Sequence, residues 1–339
     1  GMYGQRVHEA VLYRQVGGQW REEPWRFGVV PEQAGRSPMR YPVFIVPAAE
    51  LSNETVYLRL VTRSSKRGSL WLQPDYDFIA GYGAESLAFG LMMGVLAGLA
   101  VYLSAIGLTL KDKALVGVAW GSVAYLLYVI GDQGFIETFL PPQPPTVSRV
   151  ISFASIFLIY GAWLYFAAHY LRVPAHFPRL GRVVMAVSAA CCALSAFAVL
   201  SVVFDWSLLR EISAYIGVGV LVFGFGVAAV MATRERRRGG IFLACWTPAI
   251  AGGILRISHD IVPALGAQPL AMSATYLLTC LSFLIFGIAV SIEIQARERD
   301  LRDLALANMA RVAAFADYAS DSLWEADRSG RVTFATGAA

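Results

Sequence analysis

Charge is what this sequence has least of. Of 339 residues only 15% are charged, against 57% apolar, and the mean hydropathy is +0.54. A soluble domain carries roughly 25% charged and 45–50% apolar residues. A charged side chain at the centre of a membrane-crossing helix costs about 2.5–3.5 kcal/mol, so this depletion is what a bilayer-embedded chain needs. A net charge of +4, with no basic concentration on a soluble stretch, excludes a nucleic-acid partner. Lysine is scarcest of all: there are three, Lys66, Lys111 and Lys113, and none lies in the middle of an apolar run. A retinal Schiff base requires a membrane-buried lysine, so a retinal protein is excluded.

Cysteine is equally sparse. Cys191, Cys192, Cys245 and Cys280 all fall inside apolar runs, with no zinc or haem spacing. Free cysteine there behaves as a small hydrophobe, so packing is expected and neither a metal nor a cofactor is. No catalytic triad, phosphate loop or kinase or cyclase signature is present, so no catalytic residue is assigned and no enzymatic activity is expected of these residues.

What is present divides into four parts. Residues 1–85 carry short β-rich runs: Ala10–Gln15, Tyr41–Val46, Thr55–Val61 and Ser69–Leu72. Val16-Gly17-Gly18-Gln19 suits a hairpin turn after the first run, and Pro31, Gly35, Pro38 and Pro42 punctuate a loop. Val56, Leu58 and Leu60 alternate with Thr55, Tyr57 and Arg59, the pattern of a strand with one buried face. The expectation is part of an antiparallel β-sandwich or jelly roll, since a complete sandwich takes about 100 residues.

Residues 86–293 are helical membrane. Spanning needs about 20 mainly apolar residues, and seven runs qualify: 86–109, 114–134, 148–170, 183–204, 212–233, 241–262 and 270–293. Short loops rich in arginine and lysine stay cytoplasmic. Loops after the first, third, fifth and seventh runs hold Lys111 and Lys113, then Arg172, Arg179 and Arg182, then Arg234, Arg236, Arg237 and Arg238, and finally Arg297, Arg299 and Arg302. The opposite loops hold only Arg149 and Arg210. The fold class expected is therefore a membrane all-α seven-helix bundle with an extracytoplasmic β-sandwich fragment at its N-terminus and a cytoplasmic C-terminus. Exporting a folded domain normally takes a signal peptide, and no charged-then-apolar leader follows Met2, so the chain reads as part of a longer one.

Residues 294–318 form a helix rich in Ala, Leu, Arg and Asp. Ile294, Leu301, Asn308 and Phe315 recur every seven residues, with Ala305 and Val312 on the same face. Two readings stand: a short parallel coiled coil that makes a homodimer, or an amphipathic connector packing on the next domain.

Several motifs resemble one family. Tyr41–Pro47, Thr55–Val61 and Gly68–Leu72 are similar to the closing strands of an extracytoplasmic jelly roll. Phe89-Gly-Leu-Met-Met-Gly94, Leu110-Lys-Asp-Lys113, Gly131-Asp-Gln-Gly134 with Leu140-Pro-Pro142, and Trp246 with Gly252–Arg256 to Pro263 are similar to its membrane helices and loops. Together they resemble the bacterial seven-transmembrane receptors with diverse intracellular signalling modules, the 7TMR-DISM family. Residues 319–339 resemble the opening of a PAS domain, with a turn at Ser329-Gly330 between Leu323–Glu325 and Arg331–Phe334. The resemblance implies a sensor of an extracytoplasmic small molecule or carbohydrate, with a histidine kinase or a cyclic-di-GMP enzyme as cytoplasmic output.

Ionisable residues within spans mark candidate function. Asp132 lies near the outer end of the second span. Arg256, His259 and Asp260 share one face of the sixth. They form either a polar relay beneath the outer domain or an interfacial cluster that satisfies itself near headgroup water. His169 reads as interfacial. In the outer domain Tyr57, Arg59 and Trp71 are candidates for a ligand surface, the alternative being a place in the sandwich core. A transporter is the competing class, but no internal repeat is visible and the ionisable residues gather at one end rather than at the midplane. Glycines in Gly217–Gly226 leave room for a helix break. An intramembrane enzyme would need an acid–nucleophile pair that the spans lack.

Overall fold

The computed structural model describes residues 2–3, 7–16, 19–26, 43–44, 46, 56–62, 69–70, 74–136, 146–204, 207–261, 269–319 and 323–336. Residues 1–287 and 288–339 form two compact units.

At the N-terminus, β1 (Met2–Tyr3) pairs antiparallel with β5 (Ser69–Leu70), and a second sheet has the order β3-β2-β4, from Gln19–Arg26, Val7–Val16 and Tyr57–Thr62. The central strand β2 is the apolar one, with Ala10, Val11 and Leu12 buried. Val16 pairs with Gln19, so β2 and β3 are antiparallel neighbours on either side of the expected turn. The alternation expected along β4 holds where it is described: Val56 and Leu58 are half-buried, Tyr57 and Arg59 exposed.

Two features differ from the sequence expectation. Strand β3 is charged and contains Pro24, which disguises it. It sits at the sheet edge, where a missing N–H costs no ladder bond. Val43, Phe44 and Val46 carry no strand, and Pro42 and Pro47 on either side cannot donate to one. The described residues make a two-stranded and a three-stranded sheet; much of the expected sandwich lies outside them.

The helices follow as α1 (Asp75–Leu110), α2 (Lys113–Asp132), α3 (Thr146–Tyr170), the short α4 (Val173–His176), α5 (Pro178–Val203), α6 (Ser207–Ala232), α7 (Arg236–Ile261) and α8 (Pro269–Ala319). Among the described residues six helices are long and apolar enough to cross a membrane: α1, α2, α3, α5, α6 and α8. The sixth expected span falls on α7, whose 26 residues extend about 39 Å at 1.5 Å per residue. Several of its later side chains lie outside the described residues. Helix α1 begins well before its apolar run, because hydrogen bonding continues past the residues a bilayer selects.

Local chemistry sets the turns. Asp112 caps α2, its Oδ1 accepting from the Ala114 and Leu115 amides at 2.8 and 3.3 Å. Pro178 opens α5 at a position where its missing N–H has no helical partner.

Between the spans, small residues admit large ones. Cys192 Sγ fills the space over Gly161, where an added Cβ would stand 2.6 Å from it. A Cβ on Gly217 would lie 2.2 Å from the Tyr160 hydroxyl, and one on Gly224 2.2 Å from the Trp163 ring. Phe225, Phe242 and Trp246 pack against Trp163 with ring centroids 5.4–6.1 Å away. The glycines that could have broken α6 instead seat aromatic rings within a continuous helix. Leu91, Val101, Val183 and Val222 point outward and are exposed, as lipid contact requires.

In the second unit, β6 (Leu323–Ala326) and β7 (Val332–Thr336) form an antiparallel hairpin. Its turn is organised by Asp327. Oδ1 accepts from the Ser329 amide at 2.8 Å, the Ser329 hydroxyl at 2.5 Å and the Arg331 amide at 3.0 Å, while Gly330 takes a φ of +80°. The Ser329 hydroxyl and the Arg331 amide hold the carboxyl below its ordinary range.

Two outcomes follow from this packing. Gly224→Ala drives a methyl into the Trp163 ring, and overpacking of this kind costs about 1–3 kcal/mol, read as a lower melting temperature in detergent. Asp327→Ala speeds amide exchange at Ser329 and Arg331 relative to wild type at neutral pH. The folded carboxyl is the stronger acid, so its contribution is present above the unfolded value of about 3.9. The difference between the two proteins therefore fades as pH falls through the lowered folded value.

Candidate polar relay in the helix bundle

A polar group inside hydrocarbon has no water to bond, so its partners must come from neighbouring helices. Asp132, the last residue of α2, shows how this is met. Its Oδ2 accepts a hydrogen bond from the Tyr276 hydroxyl of α8, and its Oδ1 lies 3.5 Å from the Ser152 hydroxyl of α3. One carboxylate thus joins three helices.

The surrounding residues hold this geometry. Gly131 lets α2 press on α3: an added Cβ would stand 2.8 Å from the Ser152 amide and 2.9 Å from the Ser148 carbonyl. The buried Tyr276 ring lies edge-on to Phe89 of α1 at 5.7 Å and stacks on Tyr128 of α2 at 6.1 Å. One turn back along α2, the Tyr125 hydroxyl donates to the Tyr276 carbonyl at 3.2 Å. Helix α8 is therefore bound to α2 through both its backbone and its side chain at a single residue.

A second set of bonds ties α8 to α7. Pro248 lies inside α7 and interrupts its hydrogen-bond ladder. Just after it, the Ala249 amide donates to the buried Ser282 hydroxyl at 2.9 Å. Further along, Thr275 Oγ1 donates to the Gly252 carbonyl at 3.1 Å. Thr275 and Ser282 are seven residues apart and share a face of α8, while Tyr276 is turned about 100° from it. One helix thus presents hydrogen-bonding groups to two partners at once.

The residues singled out by sequence fare differently. Asp132 is at the centre of the link. Arg256, His259 and Asp260 belong to the last turns of α7, and their side chains lie outside the described residues. His169 is half-buried, with its ring 4.3 Å from that of Tyr165 and Nδ1 2.9 Å from the Tyr165 carbonyl. In the N-terminal sheet, Tyr57 and Arg59 are exposed on one face of β4, and Trp71 lies outside the described residues. Tyr57 is 57% exposed and its ring lies 5.5 Å from that of Trp20, itself 53% exposed. These two rings form an open aromatic surface.

Sequence reasoning missed Tyr276, Ser282, Thr275 and Trp20. An uncharged hydroxyl in a span is a weak signal, because serine and threonine also bond their own helix. Pro248 was the usable clue, since a proline in a span frees backbone groups that a neighbour must answer. Among the described residues no group of His, Cys, Asp and Glu is placed to hold a metal.

Long apolar helices with an internally bonded polar core define a multi-pass membrane protein. The family described as 7TM diverse intracellular signalling, 7TMR-DISM, matches residues 85–293, and the chain belongs to it. It is accordingly a membrane sensory receptor of a signalling family. No curated protein matches the chain.

Removing the Tyr276 hydroxyl leaves Asp132 short of a donor. Hydrogen bonds to charged groups contribute about 1.5–3 kcal/mol, so Tyr276→Phe lowers the melting temperature of the purified protein. Ser282→Ala removes an interhelical acceptor of the Ala249 amide, a loss of about 0.5–1.5 kcal/mol that lowers the melting temperature. The two losses add if the α2 and α7 contacts of α8 are independent, which the double variant measures.

Proposed function

We propose that this receptor detects an extracytoplasmic small molecule or carbohydrate on its N-terminal sheet and signals through seven membrane helices to a cytoplasmic PAS-linked output, a histidine kinase. The observation that carries this reading is the bond between Asp132 and Tyr276, because α8 runs on as one helix to Ala319. A shift at the α2–α3 end must either break that bond or move α8. The same helix bears the exposed Leu301, Val312 and Phe315, which supports dimerisation through residues 294–318. Arg256, His259 and Asp260 remain candidates for the same relay at the end of α7.

Other features support the finer points. The arginine and lysine imbalance between loops favours an inner-membrane protein with the sheet outside and the C-terminus in the cytoplasm. Trp20 and Tyr57 offer flat, amphipathic rings on which a sugar or an aromatic compound stacks, with Arg59 beside them for an anionic group. The β6–β7 hairpin suits the first two strands of a PAS domain. A cyclic-di-GMP synthesising or degrading enzyme is the alternative output.

The decisive experiment reads the source gene beyond the codon for Ala339 and assays the encoded protein in proteoliposomes. Ligand-dependent phosphorylation of a histidine supports the kinase, and turnover of cyclic-di-GMP replaces it with the alternative. In either protein Tyr276→Phe should bring the ratio of stimulated to basal output close to one while ligand binding persists. An undiminished ratio removes the relay. Orientation is tested separately: Lys111→Cys in intact cells should resist an impermeant maleimide that labels Ser207→Cys, and the reverse pattern would invert the topology.

A further inference from the structure

The end of the bundle opposite Asp132 gathers arginine. Arg172 caps α4, Arg179 and Arg182 lie in the first turns of α5, and Arg234, Arg236 and Arg237 stand at the α6–α7 turn. All six are exposed. The segments that bear them are held together. His176 Nε2 at the end of α4 lies 3.7 Å from Glu235 Oε1, and Arg238 Nε lies 3.6 Å from Glu235 Oε2. Gly239 allows the turn to close, since a Cβ there would stand 2.5 Å from Ala232 Cα. Glu235 is the one carboxylate in residues 171–182 and 233–240, and it already serves His176 and Arg238. Among the described residues none of the six exposed arginines has an acidic partner.

Membrane topology asks only that positive residues lie on one side of the bilayer. It does not ask that two loops be fastened into one surface, where six like charges repel unless an anion lies among them. The first turn of α5 adds no acidic residue either. We propose that these six arginines form a binding surface for anionic phospholipid headgroups. Guanidinium groups match phosphate oxygens with paired donors. The source is lipid rather than free phosphate because of position: the spans end at Tyr170 and Ala232 and restart at Pro178, so the arginines stand where headgroups lie. This holds whichever face of the membrane the surface meets.

The test uses the purified protein in nanodiscs of phosphatidylcholine mixed with phosphatidylglycerol, with retained lipids counted by native mass spectrometry. Phosphatidylglycerol should be enriched around the wild type, and raised salt should lower the enrichment. Arg179→Gln with Arg236→Gln removes one guanidinium from each segment and leaves the others to keep the topology. Each basic residue near an anionic surface contributes about fivefold in binding, so this variant should lose enrichment by at least that factor. Arg179→Lys with Arg236→Lys should retain more than the glutamine variant, an order that a folding defect would not produce. Equal enrichment in wild type and glutamine variant overturns the proposal. Displacement of phosphatidylglycerol from the wild type by inorganic phosphate alone overturns the lipid assignment.

Discussion

Hydrocarbon supplies no hydrogen-bond partner, and that constraint organises this bundle more than any other. A charged side chain can stay among the spans only where neighbouring helices bring donors to it. Asp132 meets the condition with Tyr276 and Ser152, and in doing so fixes the spacing of α2, α3 and α8. Gly131 belongs to the same solution, because the carboxylate reaches α3 only if the backbone beside it can come close. A soluble protein could leave such a group to water. Here the half-buried carboxylate at the end of α2 joins three helices.

The proline in α7 shows the same constraint acting on the backbone. Pro248 breaks the ladder, and α8 answers with Ser282 on the Ala249 amide, then with Thr275 on the Gly252 carbonyl. Helix α8 is consequently bonded on two faces, to α2 by Tyr276 and to α7 by Thr275 and Ser282. A helix bonded on two faces has its rotation fixed relative to both neighbours.

The ends of the bundle differ in kind. Asp132 is bonded by the hydroxyls of Tyr276 and Ser152; around Glu235 there are many guanidinium groups and one carboxylate. Between them lies a layer of rings, Trp163, Phe166, Phe242, Trp246 and Phe286, with centroids 4.9–6.5 Å apart. Dispersion and edge-to-face contacts set that layer, and the glycines of α6 admit it. Polar bonds specify the register of the helices, while the aromatic layer supplies bulk attraction that polar groups alone would not give in lipid.

The sequence by itself determined the medium, the helical class, the place of most spans and the turn chemistry, because each is a local property. Twenty apolar residues cross a bilayer whatever their neighbours are, two glycines reverse a strand, and an aspartate before a helix caps it. It also pointed to Asp132, since an acid in a span demands explanation. Only the tertiary structure decided what Asp132 bonds. The partner found is Tyr276, whose phenol looks like one more aromatic in an apolar run; the side chains of Arg256 and Asp260 lie outside the described residues. Likewise Pro24 concealed β3 until the sheet order put that strand at an edge, and Ser282 was unremarked until α7 placed the Ala249 amide opposite it. Partnership between helices depends on the rotation and depth of each one, and no linear pattern of a single helix contains that information.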